Sequence, residues 1–258
     1  MSRLGIEIVQ GTEIIKITNN DVFDGCLTYR VPESIGETDG GIWTHDPRTL
    51  VRPQWTPTLD GGWEYSWERE GLLRYSVRTE LHEQYIDIHL TLQNLHNRTW
   101  ENTYAFPCLK THTSPQFLDY DGTRTFLRVD GEYVPITKLP RKDSPRPTLQ
   151  FWYTDKEDRP LGVVESFDAS PDTYPDGLIA VRSWDGRHLV VVTSDSPLFL
   201  FSNLEFSCVH SCPSFGRLEP GETGSALNRI YVLADTRISE IDALLQRPGV
   251  RPEILQNA

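Results

Sequence analysis

The chain has 258 residues and a formal net charge of −12, which repels phosphate backbones and anionic lipid surfaces, and no basic cluster acts locally against it. Nucleic acid and membrane are therefore not expected as partners. A hydrophobic content of 38% with seven tryptophans is enough for a sizeable core, and the length suits one large all-β domain spanning 1–258.

The first twenty residues lack the apolar run of a signal peptide, and no later stretch reaches membrane-spanning length, so the expectation is a cytoplasmic protein. Residues 6–9, 13–18 and 26–31 are short apolar or β-branched runs separated by Gly11, Asn19-Asn20-Asp21 and Gly25, a strand meander. From Pro32 to Gly62 the chain is rich in Gly, Pro, Thr and Asp and carries Trp43, His45 and Trp55. A loop of that length in a compact domain is more often functional than idle, and these three residues are candidates for binding a substrate.

Residues 63–94 carry the clearest pattern. Leu73, Tyr75 and Val77, then Ile86, Ile88, Leu90 and Leu92, alternate with polar residues, as antiparallel strands with one buried face require. A turn at 94–99 leads to a strand over 100–109. Prolines then interrupt the stretch 111–160, with short strands at 124–129 and 149–153. Further strands are expected at 161–167, 178–183 and 189–194, the last two joined by the Trp184-Asp185-Gly186-Arg187 turn. A short helix is expected near 237–246, with Ser239 or Thr236 as its N-cap.

The stretch 201–235 holds the densest chemistry. Cys208, His210 and Cys212 are spaced by two, so on a strand all three share a face. Pro213 is expected to end or edge that strand. At about 3.3 Å per residue the three lie roughly 7 and 13 Å apart, too far for one tetrahedral ion. No metal is therefore expected from this strand, although imidazole and carboxylate ligands from other strands stay open. With Cys26 and Cys108, the cysteines read as free thiols. His210 and His112 have the side-chain chemistry of a general acid and base and are taken as facing each other across a cleft. Arg124 and Arg146 offer guanidinium forks for a carboxylate or for the hydroxyls of a substrate. No phosphate loop, dinucleotide fingerprint, HExxH or GxSxG pattern occurs, and no cofactor is expected.

Two stretches resemble the aldose 1-epimerase (galactose mutarotase) superfamily. One is YIDIHLTLQNLHNRTWENTYAFPCLKTH, residues 85–112, similar to the family's central strand pair. The other is Leu218-Glu219-Pro220-Gly221-Glu222 followed by a strand ending in Ile230-Tyr231-Val232, similar to the family's C-terminal segment. The resemblance implies a large antiparallel β-supersandwich and a small sugar or oligosaccharide as ligand, with assembly into a homo-oligomer left open. It implies acid/base proton transfer on the sugar, by epimerisation or β-elimination, or else a non-catalytic carbohydrate-binding or assembly module of the same fold. The family's Asn-His signature is absent, its place taken by Ala105-Phe106-Pro107-Cys108. Glu205 is the nearest candidate for the family's glutamate before the turn.

Overall fold

The computed structural model describes residues 4–37, 52–141, 146–155 and 168–245. In chain order the strands begin with β1 (Leu4–Ile8), β2 (Ile14–Asn19), β3 (Leu27–Gly36), β4 (Thr56–Pro57), β5 (Trp63–Arg69) and β6 (Leu73–Leu81). There follow β7 (Tyr85–Asn94), β8 (Trp100–Lys110), β9 (Thr125–Val129), β10 (Glu132–Pro135) and β11 (Leu149–Tyr153). The last six are β12 (Asp168–Thr173), β13 (Leu178–Arg182), β14 (Leu189–Ser194), β15 (Pro197–Asn203), β16 (Cys208–Leu218) and β17 (Thr223–Leu233). A single turn of 3-10 helix, Ile238–Glu240, runs into α1 (Ile241–Leu245).

Two sheets form. Sheet A has eight strands in the order β1-β2-β3-β8-β16-β15-β11-β12, and sheet B has nine in the order β10-β9-β13-β14-β17-β7-β6-β5-β4. The expected antiparallel arrangement holds, except that β11 and β12 pair in parallel. Alternation decides the faces. Tyr29, Ala105, Leu109, Trp152, Leu200 and Val209 from sheet A meet Tyr75, Val77, Ile88, Leu90, Val192 and Ile230 from sheet B in one continuous buried cluster. Asn228 crosses this layer, donating to the Tyr29 hydroxyl and to the Ser211 carbonyl. Its amide NH2 is thus fully paired inside the sandwich, while its Oδ1 is buried without a partner among the described residues.

Several expectations need correction. Pro213 does not end its strand, because β16 continues to Leu218 through irregular pairing with β8 and β15. A proline lacks only its own N–H, and a bulge absorbs that loss. β3 extends to Gly36, into what reads as loop. The helix cap is Arg237, whose backbone N–H donates to the Glu240 carboxylate at 2.8 Å, not Ser239 or Thr236. Strand 161–167 lies outside the described residues. No helix among the described residues is long and apolar enough to cross a membrane.

Candidate functional site

Strand parity turns a second set of side chains away from the shared core, onto the outer face of sheet A. Tyr104, Leu149, Phe151, Tyr153, Leu198, Phe199, Phe201 and Cys212 form a separate buried cluster there, with Phe106 packed against it. Ladder pairing builds one row across this face. Arg30 pairs with Cys108, His210 with Phe201, and Phe201 with Phe151. The β16–β8 register, Val209 opposite Leu109, sets His210 beside Cys108 at the centre of the row.

His210 is 1% exposed. Its ring lies 4.3 Å from the Phe106 ring and 4.9 Å from the Phe201 ring, centroid to centroid. Nε2 is 3.5 Å from the Cys208 Sγ, while Nδ1 is buried with no hydrogen-bond partner. Buried polar atoms are nearly always paired, so an orphan imidazole nitrogen on an aromatic face makes His210 the candidate residue of this surface. The Cys108 thiol beside it is the largest cause lowering the Cys208 pKa, with His210 adding and burial opposing. Cys108 moves the other way, well up, through its contact with Cys208 and by burial. Burial also raises the Cys212 thiol. The Glu33 carboxylate is close enough to act on all three thiols. Arg30 lies 3.6 Å from Glu33 and also bonds Glu13.

The remaining predicted residues do not converge on His210. Cys108 sits opposite His210, whereas His112 lies four residues later, past the end of β8 in the 3-10 turn Thr111–Thr113, with its backbone N–H on the Ser207 carbonyl. His112 Nδ1 is engaged with the Phe206 carbonyl at 2.6 Å. Glu205 accepts from Thr148 at 2.6 Å and faces Arg146 at 3.7 Å, at the exposed end of the β15–β16 connection. Arg124 stands 4.0 Å from buried Asp119. Trp55 is not a stacking platform: it is 3% exposed, edge-on to Tyr65, and its indole N–H donates to the Thr12 carbonyl. Trp43 and His45 lie outside the described residues.

Arg30, Glu33 and Cys108 escape a reading of the sequence, because it shows nothing of the pairing of β3 with β8 and of β8 with β16. The spacing argument about Cys208 and His210 also needs revision. Backbones two residues apart are about 7 Å apart, yet these side chains lean together to 3.5 Å.

Sheet B presents its own polar surface. An open groove of about 760 Å³ is lined in part by Gln54, Glu64, Ser66, Arg78, Glu80 and His89. Beside it, Arg229 bonds both oxygens of buried Asp87 at 2.5 and 2.7 Å and lies 3.9 Å above the Tyr85 ring. His82 stacks on the same Tyr85 ring at 4.3 Å and approaches Asp87 at 3.4 Å.

Two stacked, largely antiparallel sheets of eight and nine strands, with an aromatic outer face on one, define a galactose mutarotase-like supersandwich. The solved structures bear this out as a fold. A Synechocystis sp. PCC 6803 protein aligns at TM-score 0.52 and 12% identity, covering 91% of this chain and 93% of that one. A galactose mutarotase-like protein from Lactobacillus casei ATCC 334 aligns at TM-score 0.51 and 9% identity, covering 90% and 98%. An alpha-N-acetylgalactosaminidase from Bifidobacterium bifidum, solved with GalNAc, aligns at TM-score 0.50 and 11% identity over 91% of this chain and 35% of its own. No protein-family model and no curated protein matches the sequence.

Proposed function

We propose that the chain acts on a sugar by acid/base proton transfer at the outer face of sheet A, with His210 as the central proton carrier. The observation that carries this reading is the buried, unpartnered Nδ1 of His210 on an aromatic floor. Aromatic rings match the apolar C–H faces of a sugar, and a few fixed polar groups orient it. Support comes from the fold shared with a galactose mutarotase-like protein and with an enzyme solved with GalNAc.

Ring opening at an anomeric centre needs an acid at the ring oxygen and a base at the anomeric hydroxyl. In this reading His210 Nδ1–H donates to the ring oxygen, and Nε2 is held toward the Cys208 sulfur. Glu33 takes the anomeric proton in place of His112, whose Nδ1 is engaged at the Phe206 carbonyl, with Arg30 orienting the Glu33 carboxylate. Closure of the ring on the other face returns both protons, so no co-reactant is consumed. Polarimetry of freshly dissolved aldoses tests this. The parent should speed the approach to anomeric equilibrium, and His210→Asn and Glu33→Gln should each slow it by about 100-fold, the usual scale of a lost general acid or base.

The groove on sheet B supports a second reading, a non-catalytic sugar-binding module, because it is open and brings hydrogen-bonding side chains such as Gln54, Ser66 and His89 onto one surface. Chemical-shift mapping separates the two. Perturbation centred on Phe106 and Phe201 supports the first, and perturbation centred on Ser66, Ser76 and His89 without turnover supports the second.

A further inference from the structure

Two groups of side chains among the described residues bring three metal-competent donors together: Glu80, Asp87 and His89 on sheet B, and Cys108, Cys208 and His210 on sheet A. In the first group the positive charge is already supplied by protein. Asp87 gives both oxygens to Arg229, and Arg78 lies 3.6 Å from Glu80. A cation placed there would stand against two guanidinium groups.

The second group is different. Its three donor atoms lie within 4.8 Å of one another, and all three residues are buried, at 1%, 6% and 1% exposure for Cys108, Cys208 and His210. A tetrahedral zinc ion bound at about 2.3 Å to sulfur and about 2.0 Å to nitrogen sets its ligands about 3.5 Å apart along a sulfur–nitrogen edge. The Cys208 Sγ to His210 Nε2 distance is 3.5 Å. The donors come from neighbouring strands whose register is continuous at Cys208 and Val209, so the backbone holds them in place before any ion arrives.

We infer that Cys108, Cys208 and His210 form a binding site for zinc(II) or a cation of the same thiophilic, tetrahedral class. Charge favours the assignment. A thiolate buried beside aromatic rings is costly alone, and two thiolates with one divalent cation are neutral. Ligand softness favours it too, since thiolate with imidazole selects zinc over magnesium or calcium. Three protein donors leave a fourth position for an exogenous ligand, the arrangement of catalytic rather than structural zinc sites. Nε2 ligation fixes the proton of His210 on Nδ1, the unpartnered atom. The site goes beyond the sugar reading and stands or falls without any sugar.

The test uses the full chain, reduced and stripped with a chelator, and titrated with cobalt(II) as the probe. Thiolate-to-cobalt charge-transfer bands should grow to saturation at one equivalent and should be displaced by zinc. Cys108→Ser, Cys208→Ser and His210→Gln should each weaken or abolish the bands, while Cys212→Ser and Cys26→Ser keep them. Near-ultraviolet circular dichroism confirms the fold of each variant, and should one ligand variant unfold, the other two carry the same comparison. Absence of the bands in the parent, or bands unchanged in folded Cys208→Ser, overturns the assignment. Either result leaves the polarimetric test of sugar turnover intact.

Discussion

At the scale of single residues, Arg229 shows how a buried charge is made tolerable. Both its Nε and Nη2 atoms reach Asp87, the Tyr85 ring lies under the guanidinium, and the side chains of the pair are only 6% and 8% exposed. Removing one partner strands the other charge out of water, so Arg229→Met should lower stability by about 3 kcal/mol or more in urea denaturation. The double variant Arg229→Met/Asp87→Leu should recover much of that loss. Asp119 gives a pH signature. Burial is the largest cause raising its carboxyl pKa, against a hydrogen bond from Thr125. An acid raised in the folded state favours folding only while protonated; that contribution is complete below about pH 4 and is lost as pH rises through the folded value. Asp119→Asn preserves the protonated shape, so denaturant midpoints should show it more stable than the parent at neutral pH, with the gap closing in acid. The sequence shows His210 and Cys208 as chemically competent because two-residue spacing on a strand is local information. It does not show Cys108 as their neighbour, since that contact depends on a register set across about a hundred intervening residues. Trp55 misleads for a related reason: a tryptophan in a Gly- and Pro-rich stretch looks exposed, until the Thr12 carbonyl and Tyr65 ring are found around it.

At the scale of elements, α1 has only five residues, far too few to be helical alone in water. It is held by Ile241, Leu244 and Leu245 in the cluster on the outer face of sheet B. It is also held by Asp242, which accepts from Arg128 at 3.0 Å and from the Tyr133 hydroxyl at 2.6 Å. Asp242 and Arg128 are about a third exposed, so solvent screens the pair. Asp242→Ala should therefore cost only about 1 kcal/mol globally. Its amide exchange should rise selectively over 241–245, with β13 and β14 unaffected; uniform exchange across the sheet would contradict local docking. The helix and the long strands of sheet B are legible in sequence because strict alternation or a short apolar turn before a Pro-Gly stop is a local signal, although the cap residue is misread. β16 is only half legible. Proline normally stops a strand, and nothing local announces that irregular pairing carries this one past Pro213 to Leu218.

At the scale of the whole molecule, the two sheets share one continuous cluster of buried side chains drawn from nearly every strand. We propose that they unfold as one unit, so near- and far-ultraviolet dichroism should report a single coincident transition; separated midpoints would show two domains. Alternation repeated through many strands makes an antiparallel all-β domain readable in sequence, and the resemblance of two stretches to a known family supplies the supersandwich. Strand order is not, because β8 lies between β3 and β16 for reasons of long-range packing. The same order lines up Arg30, Cys108, His210, Phe201 and Phe151 across one face, and the functional proposal rests on that row. Two-dimensional exchange NMR on a panel of aldoses tests it most directly. The account predicts protein-dependent exchange peaks between the anomers of at least one sugar, present with the parent and lost in folded His210→Asn. Exchange that persists unchanged in that variant would contradict it.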